Sequence, residues 1–338
     1  GYYGSKGTHL IGLTELNDLP PGKALNSMCA SGAAFYAQNP TLVQCQPAGY
    51  AFRGVNNATG NPNGTTIDHH ILNQIRPYKG YQSINMIQPR YDSNYHSLQV
   101  SATHRFREPS QISVAYTWSK ALTNARDDRS TPPQNTYDLA SEYQRAAFDR
   151  THVLKISYIY ELPFFRAQQG IAGKALGGWQ ISGITTVQTG IPFTATTSNL
   201  DYAGLGLIPV PSVAARPNLL CDPNKNAPRS VNEYFNVACF QDNPPITGPG
   251  STGLQNTPGT AGRGVIKGPG TTRFDFTLSR IVKFRESLSL QLRAEAFNIF
   301  NHTNFRSFTS TNVTSTAFGQ IGGVRDPRTM QLGAKFLF

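Results

Sequence analysis

Charge is scarce in this chain: charged residues occupy 14% of its 338 positions, against about 25% in an ordinary globular domain. Long apolar runs are missing too, and no stretch approaches the roughly 18–20 residues of a transmembrane helix. That excludes helical membrane spans but not a barrel, whose strands need only about ten alternating residues each. Cysteine is sparse, at four, and falls as two local pairs, Cys29 with Cys45 and Cys221 with Cys239. Neither pair has the C-x₂-C spacing of a zinc site. Three connectivities are possible. We read two loop-stapling disulfides and an oxidising compartment, with free buried thiols as the alternative.

Chemistry-bearing motifs are equally thin. The net charge is +11, yet the basic residues are scattered singly, with no basic run or basic helix, so nucleic acid is not the expected partner. No phosphate-binding loop or hydrolase elbow occurs. Asp68, His69 and His70 form the sole acid–imidazole cluster, and a third spaced ligand is missing, so a solvated loop is expected there rather than a metal site. Nothing argues catalysis, and no enzyme, metal or cofactor is expected. The chain opens on GYYGSKGTHL without an initiator Met, a basic n-region or an apolar h-region, which leads us to expect a piece that begins mid-fold.

What is abundant is glycine, proline and aromatics: Gly 31, Pro 23, Tyr 15 and Phe 19. Residues 15–80 and 195–270 carry turn chemistry with no sustained period. Loops this long in an ordered protein point to a functional surface or a lid. Between them the period is two. In 93–106, Leu98, Val100, Ala102 and Phe106 alternate with polar residues, and so do Ile112, Val114, Tyr116 and Trp118. The same pattern runs through Leu154–Leu162, Trp179–Ile191, Phe274–Phe284, Leu288–Ala296 and the closing Met330–Phe338, with a weaker version at 2–13. Alternation says that one face is apolar and the other wet.

Three features separate a membrane barrel from a soluble β-sandwich. Connections alternate: the short ones (107–110, the segment after Leu162, 284–287) fall on one side, and the long ones (15–92, 123–147, 192–270, 302–327) on the other. Outer-membrane barrels share that asymmetry. Aromatics gather at strand ends on the apolar face: Phe106, Tyr158, Tyr160, Trp179, Phe284, Phe336 and Phe338 near the short turns, Tyr116 and Trp118 near the long loops. These make two interfacial girdles. The wet face carries Arg273, Asp275, Gln291, Arg293, Glu295 and Lys335, tolerable in a hydrated lumen but costly in a dry sandwich core. Of these, Arg273, Asp275, Gln291, Arg293 and Glu295 are weak ligand candidates, set against wall charges that bridge neighbouring strands. One blemish is Arg280, which alternation puts on the lipid face; a bulge or snorkelling would remove the conflict. The expected fold is therefore all-β, an antiparallel transmembrane barrel portion of about eight strands with long extracellular loops.

RAEAFNIFNHTNF (293–305) followed by GGVRDPRTMQLGAKFLF (322–338) resembles the last two strands of TonB-dependent outer-membrane receptors. The likeness is closer to the large Oar-like receptors, which usually carry a carboxypeptidase-regulatory-like domain. GYYGSKGTHL, SNYHSLQVSATHRF, AYTWSKAL and FDRTHVLKISYIYELPF look like later barrel strands of that family. The resemblance implies about twenty-two strands, an N-terminal plug and a TonB box, of which this sequence holds only the C-terminal barrel portion. It further implies a Gram-negative outer-membrane location with loops outside the cell, ligand uptake as the function, and four partners. Those are membrane lipid, the rest of the barrel and plug, the TonB complex, and the barrel-assembly machinery reading Phe338. The alternatives are a structural or adhesive barrel without active transport, and a soluble β-sandwich binding module. Lipid tolerates no open sheet edge, so the chain is expected to borrow its missing strands or to close a smaller barrel.

Overall fold

A computed structural model describes residues 1–21, 76–81, 83–107, 109–125, 131–165, 169–170, 173, 176–197, 215–242, 258–284 and 288–338. Cys29, Cys45, Asp68, His69 and His70 lie outside the described residues. Eight long strands form one antiparallel meander: β1 (Tyr2–Glu15), β2 (Asn85–Arg105), β3 (Gln111–Thr123), β4 (His152–Glu161), β5 (Trp179–Gln188), β6 (Thr271–Lys283), β7 (Ser289–Phe297) and β8 (Thr329–Leu337). Each pairs with its neighbours in the sequence of long strands, and the two-residue strand Gln144–Arg145 adds to β3.

The register carries the alternation across the whole sheet. Leu98 faces Trp118, Tyr116 faces Leu154, and Leu154 faces Val187. Phe276 faces Ala296, and Ala294 faces Leu332. Directly opposed residues share a face, so the apolar positions of all eight strands make one continuous surface. Nothing roofs it. The only buried hydrophobic cluster among the described residues draws on none of the eight strands. A soluble sandwich would bury this face in its core, whereas here Trp118, Val100, Leu332, Met330 and Phe336 stay exposed. Lipid is the solvent that such a surface fits.

The hairpins explain the asymmetry of the connections. Phe106 N–H donates to Ser110 O at 3.0 Å, closing β2 to β3, and Phe284 N–H donates to Leu288 O at 2.9 Å, closing β6 to β7. Every long connection leaves the opposite end. The first of these is shorter than the expected 15–92, because β2 begins at Asn85 and pairs with β1 up to Glu15. Register shifts around Leu10, beside His9 at φ 55°, let β1 keep pairing past a bulge. The expected bulge near Arg280 is absent: β6 pairs without a shift on both sides.

The outer edges of β1 and β8 carry no strand among the described residues. Among the described residues the sheet is thus open, with β1 and β8 unpaired to one another. Of the two expected outcomes, closure into a smaller barrel is not the one seen.

Candidate ligand-binding site

The long connections build a second body on the loop side. Three short ribbons frame it: Pro192–Phe193 with Ile266–Lys267, Asn218–Leu219 with Phe240–Gln241, and Phe305–Phe308 with Ile321–Val324. Phe235 is fully buried at their centre, with Phe308 and Phe318 rings each edge-on at 5.2 Å and Phe240 at 5.8 Å. Edge-to-face aromatic pairs stabilise by about 0.5–1.5 kcal/mol beyond their buried area. Cys221 and Cys239 are joined across this cap, with Cα atoms 4.9 Å apart. Next to Cys221, Asp222 accepts the Asn224 backbone N–H at 2.9 Å and side-chain N–H at 3.0 Å. These bonds hold its carboxyl below the ordinary 3.8, with Lys267 and Lys225 adding to the effect.

A buried ionic hub fastens the cap to the wall. Glu142, fully buried, receives both terminal nitrogens of Arg216, at 3.0 and 2.7 Å, and faces Arg263 Nε at 3.5 Å. Arg263 in turn donates to the carbonyls of Thr123 at 2.6 Å and Glu142 at 3.0 Å. Thr123 is the last residue of β3, so the hub sits where strand becomes loop. Gln134 accepts the Arg216 backbone N–H at 2.9 Å. Gly259 passes so close to Arg216 that a Cβ there would lie 1.7 Å from the Arg216 carbonyl oxygen. Only glycine fits that crossing. A second tether joins the first loop: Thr136 donates to Asp18 at 2.8 Å, and the Tyr137 hydroxyl donates to the Asp18 carbonyl at 2.8 Å.

Beside the hub opens a cleft of about 990 Å³. Lys120, Asn135, Asp138, Ser141 and Gln144 line one side, with the glycine-rich 258–264 segment and Lys267 on the other. The lining mixes amide, hydroxyl and cationic groups with a largely buried PGTAGRG run in which Thr260 alone is exposed.

The lumen residues read from sequence occupy the polar face, in pairs. Arg273 bonds both oxygens of Asp275, at 2.7 and 2.9 Å, and Asp275 also accepts the Asn298 N–H at 2.9 Å. Arg293 pairs with Glu295, which takes a further bond from Gln331 on β8. Gln291 stands opposite Ile281 and Lys335. The expected alternative, ion pairs bridging neighbouring strands, is corrected in one detail. Each pair forms along its own strand at i, i+2, where alternation puts both side chains on one face.

The residues read as girdle share the apolar face of the strands. Tyr160 packs edge-on to Phe106 at 6.1 Å, and Phe336 and Phe338 are exposed at the short-turn end. Tyr158 lies across Gly183, where a Cβ would meet its hydroxyl at 2.5 Å. Trp179 stands opposite Arg280, whose guanidinium lies 5.5 Å from the ring centre. Arg280 is buried with its guanidinium against that ring, so its charge is covered by protein without a bulge. Trp118, at the loop end, is half exposed.

The Outer membrane beta barrel domain family model matches residues 1–331. The chain belongs to that family, and the outer membrane is its location. No curated protein matches it.

Proposed function

We propose that this chain is the C-terminal barrel wall and ligand-capturing cap of a TonB-dependent, Oar-like receptor that carries its ligand across the outer membrane. The observation that carries this reading is the cap itself. Structural barrels need no internally packed body on their loops, whereas a receptor needs a rigid surface that presents a cleft. The motifs RAEAFNIFNHTNF and GGVRDPRTMQLGAKFLF support the family-level half of the proposal. In this reading the cap and its cleft face the extracellular medium, and the exposed edges of β1 and β8 meet further strands of the barrel. A plug and TonB box elsewhere in the receptor couple it to the TonB complex. The chain does no covalent chemistry and engages no nucleic acid.

The experiment is energised uptake by cells bearing the complete receptor, with the Glu142→Ala cap variant alongside. Uptake that stops both on collapse of the proton-motive force and in the cap variant supports active transport. Surface binding that persists without energy and without accumulation would make the protein an adhesive or structural barrel instead.

A further inference from the structure

The cap does not sit squarely over the strands: part of it overhangs the apolar face. Beneath the overhang runs a groove of about 670 Å³ whose floor includes Tyr116, Leu154 and Val187. These three are consecutive across β3, β4 and β5 and belong to the lipid-facing surface. The opposite side of the groove is cationic, with Arg145, Arg229 and Lys267.

Arg229 and Lys267 are exposed. Arg229 is braced by its guanidinium over the Tyr234 ring at 4.8 Å and by a bond of 3.4 Å to the Lys267 carbonyl. Arg145 is held by Asp149 at 3.3 Å and donates to Thr151 at 2.7 Å. Asp222 is the carboxylate that feels Lys267. At the rim, His152 bonds the Tyr116 hydroxyl at 2.8 Å and stands opposite Trp118.

An apolar floor continuous with the bilayer-facing wall, under a ceiling of cations where the strands leave the bilayer, has the two-part chemistry of one kind of molecule. We propose that the groove binds a membrane lipid with an anionic, phosphate-bearing headgroup. The phosphate lies between Arg229 and Lys267, and an acyl chain runs down Tyr116, Leu154 and Val187. A soluble anion has no use for the floor, and a neutral lipid has none for the ceiling. The site is separate from the cleft proposed for the transported ligand and stands whether or not the protein transports. It anchors the cap to the leaflet on the loop side.

The chain supplies its own reporter, because its only tryptophans are Trp118 and Trp179. In a Trp179→Phe background the full chain is reconstituted in phosphatidylcholine vesicles doped with brominated phosphatidylglycerol or brominated phosphatidylcholine. The brominated anionic lipid is expected to quench Trp118 at lower mole fraction, with a preference of about fivefold for each cation engaged. Arg229→Gln with Lys267→Gln should bring the two lipids to parity, and inorganic phosphate at constant ionic strength should leave the preference intact. Equal quenching by both lipids, or a preference that survives the double variant, overturns the proposal. Loss of the preference to free phosphate makes the site a soluble-anion site and also overturns it. No quenching by either lipid would remove Trp118 from the membrane surface and the groove with it.

Discussion

The wall and the cap are built by opposite rules from one chain. In the wall, large apolar side chains point outward and stay exposed, as Leu332 and Met330 do, while the buried positions are mostly small or polar, such as Ser97, Ser119 and Ala296. In the cap, Phe235, Ile266 and Ala261 are fully buried, as in a water-soluble domain. Backbone pairing holds the wall and lipid completes it. The hydrophobic effect, one disulfide and an ionic hub hold the cap. The change of rule falls at strand ends such as Thr123, and it marks where the molecule leaves the bilayer.

The sharpest way to break this comparison is to unfasten one part and leave the other. Glu142→Ala removes the carboxylate that two buried guanidinium groups share at the hub, at a cost of about 3–5 kcal/mol. Hydrogen exchange should rise across 131–150, 215–242 and 258–270, while heat-modifiable migration of the wall in detergent gels stays unchanged. Phe235→Ala should cost the cap about 3–5 kcal/mol, read as earlier cap melting with the same indifference of the wall. Reducing Cys221–Cys239, which closes a sequence separation of 18, should cost the cap about 3 kcal/mol, visible as faster proteolysis within 221–239.

The wall answers to the opposite substitution. Leu332→Arg should cost about 2–4 kcal/mol if Leu332 sits near the bilayer midplane, whereas Leu332→Ser in a water-facing position would be neutral. Unfolding from vesicles separates the two. The smallest effect expected is acid loosening at Asp222. Its folded pKa lies below the ordinary 3.8, so its contribution is present above that value and fades as pH falls through the folded pKa. Protection of the Asn224 amide should weaken only in that acidic window.

How much of this was legible beforehand follows the same division. The wall was open to reading because period two is a local signal: each stretch such as SLQLRAEAF declares its own faces. The error lay at its margin, where NMIQPRYD (85–92) lacks alternation and contains Pro89, yet pairs with β1 beyond the bulge. The cap was illegible because its core has no period. Phe235, Phe240, Phe308 and Phe318 come from distant loops at irregular spacing, and only their excess in Gly/Pro-rich sequence hinted at packing. Nothing in the sequence sets Glu142, Arg216 and Arg263 apart from other loop charges, since burial of an ion pair depends on tertiary context. The lumen pairs sat between these cases. Their face was readable, but their partners along the strand were not.

The central claim is that the alternating face of this sheet is bathed in lipid. It is tested most directly by a nitroxide scan of Ser289–Phe297 in reconstituted vesicles, reading oxygen accessibility at each position. Accessibility should peak at Leu290, Leu292 and Ala294 and fall at Gln291, Arg293 and Glu295. An inverted phase, or no alternation along β7, would contradict the account.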